Sequence, residues 1–169
     1  MIKLRQIAAD PYSFFGLIAA ISCLALIFAL AAQLFYHLEP CILCLYQRAP
    51  FAAAIAFSIT GMALRDKPKA VMALAALCAL AFIINAGIAA YHTGVERHWW
   101  DSVVEGCHIP AMDDQSTDWI DKVMTTPAAP CNEIRWADPI FKLTMANYNA
   151  ALNLALFAFC VFGFLTRRK

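Results

Sequence analysis

Apolar residues in this chain come in four long runs, and the polar residues collect in the gaps between them. The runs extend from Phe14 to about Tyr36, from Ile42 to Leu64, from Ala70 to Tyr91 and from Leu143 to Leu165. Each is close to the ~20 residues that a helix needs to cross a bilayer. The first gap, 37–41, is a tight turn, and Arg65-Asp66-Lys67-Pro68-Lys69 stops one helix and starts the next. Pro50 falls within the first two turns or so of the second run, where a missing N–H costs least, so that run still predicts a single helix. The alanine-rich third run carries a lone Asn85, and the fourth carries Asn147, Asn149 and Asn153 near its beginning. Small residues let helices approach closely where lipid provides no hydrophobic drive for association, so a tight bundle is expected.

The last gap, 92–142, differs in character. It holds all four tryptophans, half of the prolines and most of the carboxylates. Within it Trp119, Ile120, Val123 and Met124 share one helical face, a pattern that suits either a short helix on the bilayer surface or an amphipathic turn of a folded loop. The pattern as a whole predicts an all-α membrane protein. It is a single domain, 1–169, built as a four-transmembrane-helix bundle with one short and one long exterior loop.

Composition agrees. Hydrophobic residues make up 62% of the chain and charged residues 15%, against roughly 45–50% and about 25% in soluble domains. A net charge of +1 gives no reason to expect a nucleic-acid partner. Ala29-Leu30-Ala31 has the look of a signal-peptide cleavage site, but the apolar run around it exceeds the usual core of about 7–15 residues. Charge also orients the bundle. Eight cations and two carboxylates fall on the side of the termini, five cations and ten carboxylates on the other, so the balances are +6 and −5. The positive-inside rule then places both termini in the cytoplasm and the loops 37–41 and 92–142 outside.

Seven cysteines divide into three inside apolar runs (Cys23, Cys78, Cys160) and four in or beside exterior segments (Cys41, Cys44, Cys107, Cys131). The first three are expected to be small buried apolar residues. Cys41 and Cys44 form a C-x-x-C at the head of the second run, where a helix N-terminus and a nearby cation favour a thiolate. A disulfide between residues three apart closes so short a loop that it stabilises little, and a zinc site would need Cys107 and Cys131 as single ligands. Redox chemistry fits the spacing better. Cys107 and Cys131 lie 24 residues apart and are either a second dithiol or a loop-closing staple; four cysteines allow three pairings. If the run is one helix, Arg48 sits one turn past Cys44 on the same face, where it can steady a thiolate or a reduced cofactor oxygen; snorkelling to the interface is the alternative. With no haem, dinucleotide or iron–sulfur motif in the sequence, a lipid-soluble quinone is the acceptor that suits a dithiol at the membrane edge.

P-C-x-x-C-x-x-Q-R at Pro40–Arg48, Tyr91-His92-Thr93-Gly94-Val95-Glu96, Cys107, Pro130-Cys131-Asn132-Glu133 with Trp136, and Ala146-Asn147-Tyr148-Asn149 together resemble the DsbB family nearly end to end. The resemblance implies an oxidase in the bacterial inner membrane that reoxidises a periplasmic, thioredoxin-fold DsbA-like protein and passes the electrons to ubiquinone or menaquinone. It implies that Cys107 and Cys131 form the loop disulfide, with Cys107 taking the mixed disulfide. Cys41 and Cys44 become the quinone-proximal pair, Cys44 nearest the ring, with Arg48, Gln47 and His92 around the quinone head group. Taken alone, His92 is better explained as an interfacial histidine. Two rivals are a VKOR-like quinone reductase, whose C-x-x-C lies near a later helix, and a non-enzymatic membrane subunit with structural exterior disulfides.

Overall fold

In a computed structural model of the chain, which describes residues 2–104, 107 and 129–167, the backbone is helical over most of each apolar run. The polar lead is helical too, as α1 (Ile2–Ala9), and it ends because Asp10 turns to cap the next element. The Asp10 carboxylate accepts from the Ser13 N–H at 2.8 Å and Pro11 takes the first helical position, so α2 runs Pro11–Phe35.

The second run departs from the expected single helix. It is α3 (Ile42–Tyr46) and α4 (Arg48–Ala63), joined at Gln47, whose backbone stays near helical angles. Pro50 supplies the reason: it has no N–H for the Tyr46 carbonyl four residues earlier, and its ring crowds that carbonyl. The departure matters because the Gln47 carbonyl next to the break accepts a hydrogen bond from the Asn85 side chain at 3.1 Å.

The third helix, α5 (Pro68–Glu96), runs five residues past the predicted end at Tyr91, so His92 to Glu96 belong to a helix and not to the loop. Its end is a paired C-cap: the Trp99 N–H donates to Gly94 O at 2.9 Å and the His98 N–H to Val95 O at 3.1 Å, with His98 in the left-handed region at φ 56°. A side chain at Gly94 would collide with the Trp100 ring, which folds back over the last turn. The fourth apolar helix, α6 (Met145–Arg167), starts two residues later than predicted. Thr144 and Asn147 cap it reciprocally, the Asn147 Oδ1 accepting from Thr144 N at 3.0 Å and Thr144 Oγ1 from Asn147 N at 3.4 Å.

Among the described residues four helical stretches, Pro11–Phe35, Ile42–Ala63 (α3 and α4 together), Pro68–Glu96 and Met145–Arg167, are long and apolar enough to cross a membrane. Among the described residues there is no strand, only an isolated bridge between Ala137 and Thr144. The pattern at Trp119 to Met124 lies outside the described residues. α5 makes its most extensive contact with α6 and also packs on α4, which in turn packs on α2. Phe14, Phe15 and Ile18 of α2, Phe51 and Ala54 of α4, Cys78 and Phe82 of α5, and Leu156 and Cys160 of α6 form one apolar core. Cys78 and Cys160 are buried as expected, whereas Cys23 is exposed on α2. Polar side chains instead gather at the end of the bundle that carries Cys41.

Candidate redox site

Cys41 is the N-cap of α3, in extended conformation, and its sulfur accepts from the Cys44 N–H at 3.3 Å. One helical turn brings the two sulfurs to 3.1 Å, two free thiols within hydrogen-bonding reach of each other. The added turn of α5 delivers His92, whose Nε2 lies 3.5 Å from Cys41 Sγ, and Glu96, whose carboxylate lies 3.6 Å from the same nitrogen. The hydrogen bond from Cys44 to Cys41 holds the Cys41 thiol far below its ordinary range, at about 4; burial opposes the shift and His92 adds to it. Cys41 is therefore the thiolate of the pair and Cys44 keeps the shared proton.

Cys107 and Cys131 are joined by a disulfide, one of the three pairings that the sequence allows. Both are buried in a cluster that also contains Cys41, Leu43 and Val95, with Cys44 and Tyr91 packed against it. The Cys131 backbone also reaches the His92 ring. The bonded pair and the free pair thus meet at one end of α5.

A cavity of about 530 Å³ opens beside them. Its apolar wall comes from Ala25, Phe28 and Ala32 of α2, Phe51 of α4 and Leu152 of α6, and its polar end from Cys44, Gln47, Arg48 and His92. An apolar cleft with a few converging polar groups suits a flat ring bearing carbonyl oxygens and an apolar tail.

The structure brings together Cys41, Cys44, Gln47 and His92 directly. Arg48 lines the same cleft, but its Nη1 donates to Gln33 Oε1 at 3.1 Å; the side chain that meets a sulfur is the His92 imidazole. Cys41, Cys44 and His92 have their ligand atoms within 4.8 Å of one another, near enough for a thiophilic ion. That makes three ligands, one short of a closed structural zinc site.

Sequence reasoning gave no role to Glu96, Asn85, Asn149 or Asn153. Glu96 becomes visible only when the third helix is carried past Tyr91, because it is then one turn beyond His92. The asparagines were apparent as polar breaks in apolar runs, but their convergence on Gln47 was not.

Comparison with known proteins decides the family. Residues 11–163 match the family described as "Disulfide bond formation protein DsbB". The chain belongs to the DsbB family. DsbB membership and four apolar helices make it a membrane thiol oxidoreductase of disulfide formation, from a family that uses quinones and serves a periplasmic thiol partner. It is also similar to "Uncharacterized protein RP370" of Rickettsia prowazekii (strain Madrid E), 29% identical over 161 residues that cover 94% of this chain and 91% of the relative. No solved structure matches the chain.

Proposed function

We propose that this protein is an inner-membrane thiol:quinone oxidoreductase that reoxidises a DsbA-like dithiol protein, with both termini cytoplasmic and the four redox cysteines on the periplasmic side. The observation that carries this reading is the juxtaposition of a bonded and a free cysteine pair in one buried cluster beside an apolar cleft.

A thiolate of the partner attacks the Cys107 sulfur, and Cys131 leaves as a thiolate. The partner's second thiolate then attacks the mixed disulfide, so the partner leaves oxidised and the loop pair is reduced. Exchange with the oxidised form of the Cys41–Cys44 pair re-forms the loop disulfide and leaves those two cysteines free, the state seen here. Their return to the disulfide releases two electrons and two protons. A bound ubiquinone or menaquinone supplies an acceptor for both. The residues that would hold it are Cys44, Gln47, Arg48 and His92 at the polar end of the cleft, with Ala25, Phe28 and Phe51 along its wall.

The test is to mix purified protein, a reduced DsbA-like protein and a short-chain quinone, following partner thiols and quinone absorbance together. Equal loss of two thiols per quinone reduced is expected. No quinone-dependent loss of thiols would leave the inert-staple reading in its place.

A further inference from the structure

We infer that a ladder of four amides, the buried Gln47, Asn153 and Asn85 and the half-buried Asn149, sets the tautomer of His92 and so points its Nε2–H at Cys41. This deepens the thiol-oxidation reading and rests on it. The ladder is a positioning device.

Three main-chain carbonyls, which can only accept, determine how each amide faces. Leu43 O takes one N–H of the Gln47 amide at 3.2 Å, so the nitrogen of that amide is the end facing His92, and its other N–H donates to Nδ1 at 3.0 Å. Asn149 O takes an N–H of Asn153 at 2.8 Å, and Gln47 O takes one from Asn85 at 3.1 Å. The remaining bonds then interlock. Asn85 also donates to Asn153 Oδ1, Asn153 to Asn149 Oδ1, and Asn149 to Gln47 Oε1. Turning any one amide over would set nitrogen against nitrogen or oxygen against oxygen within the ladder.

An Nδ1 that accepts a hydrogen bond carries no proton, so a neutral imidazole must carry it on Nε2. That nitrogen faces Cys41 Sγ at 3.5 Å and the Glu96 carboxylate at 3.6 Å. In this form His92 donates to a thiolate while remaining uncharged. The other tautomer would direct a lone pair at the sulfur. The same register makes Nε2 a donor and not a metal ligand, so the nearness of the two sulfurs and the ring is explained without an ion. The titratable groups facing this pair are Cys44 of α3 and Glu96 of α5; Arg48 of α4, Glu39, Glu133 and Arg135 line the adjoining cleft.

The test uses the full-length reduced protein in detergent, its histidines labelled with nitrogen-15 and the His92 signal assigned through His92→Gln. A protonated Nε2 beside an unprotonated Nδ1 is expected. Gln47→Glu places an acceptor against Nδ1 and should move a proton onto it, while Gln47→Ala and Asn149→Ala should move the Cys41 alkylation profile to higher pH by about one pH unit, slowing the reaction severalfold near its midpoint at about pH 4. An intact Cys107–Cys131 disulfide in each variant shows that the fold survives. A proton on Nδ1 of the wild-type ring, or an alkylation profile unmoved in both alanine variants, overturns the proposal. Neither readout needs partner or quinone, so a protein with the expected tautomer but no turnover would sink the functional reading alone.

Discussion

Cys78 and Cys41 are both buried cysteines of the same bundle, yet only one has chemistry around it. Cys78 belongs to the apolar core that also holds Phe14, Ala54 and Phe82, with the Ser58 hydroxyl and the Ala54 carbonyl each at 4.0 Å as weak partners. Cys41, as deeply placed, has a second sulfur at 3.1 Å, a helix N–H at 3.3 Å and an imidazole at 3.5 Å. Burial alone makes a thiol inert, because an ion loses its hydration with nothing to replace it. Burial among oriented donors makes a thiolate, because those donors substitute for water. The difference between the two ends of the molecule lies in polar neighbours.

The sharpest way to break this contrast is at the polar end. Cys44→Ser removes one half of the reactive pair and is expected to abolish quinone reduction, read as loss of the quinone absorbance change. Cys107→Ser should stop oxidation of the partner while dithiothreitol still drives quinone reduction through Cys41 and Cys44. Full turnover in either variant would refute the order of the relay.

At the apolar end the largest expected effect is on stability. Gly163 has no side chain where the Phe14 ring lies, and that ring stacks on Phe159 at 5.1 Å. Gly163→Val forces the aromatic pair apart, and overpacking of this kind costs about 1–3 kcal/mol. A lower Tm is expected with Cys41 reactivity unchanged; a loss of reactivity would mean that the two ends are coupled.

A pH series sharpens the comparison further. The Cys41 thiol is held at about 4 in the folded reduced protein by its hydrogen bond from Cys44, against roughly 8.5 for a free thiol. A depressed value adds stability above the unfolded value and loses it as pH falls through the folded one. The Tm gap between the reduced protein and Cys41→Ser should therefore widen as pH rises from about 4 towards about 8.5, whereas Cys78→Ala should show no such trend. A flat gap would contradict the thiolate assignment. The smallest effect is that of Cys78→Ala at fixed pH, a cavity cost of about 1 kcal/mol with wild-type turnover.

Much of this was legible in the chain. Four apolar runs of bilayer length predict four helices because a backbone in lipid has no other local way to satisfy its polar groups. The C-x-x-C at a helix start marks the reactive pair for a similarly local reason, since sulfurs one turn apart and a capping position need no distant partner. The family pattern at Pro40–Arg48 and Tyr91–Glu96 covers the residues that the fold gathers around Cys41. Its limits lie where the outcome depends on contacts between helices. The sequence pattern ended the third helix at Tyr91, but Trp100 folding over Gly94 and the cap at His98 carry it to Glu96. Spacing placed Arg48 beside a sulfur, but the break before Pro50 and the nearness of Gln33 give it another partner.

The sequence by itself determined the number of spans, their approximate ends and the presence of a dithiol at a helix start, because those depend on properties that repeat within a turn or a run. Tertiary structure alone decided that His92 and not Arg48 meets Cys41 and that amides from α5, α6 and the α3–α4 junction line up behind the imidazole, and it shows the Cys107–Cys131 pairing that the family resemblance implies. Those are contacts between residues 24 to 102 positions apart, and no local pattern carries the relative rotation of the helices that makes them.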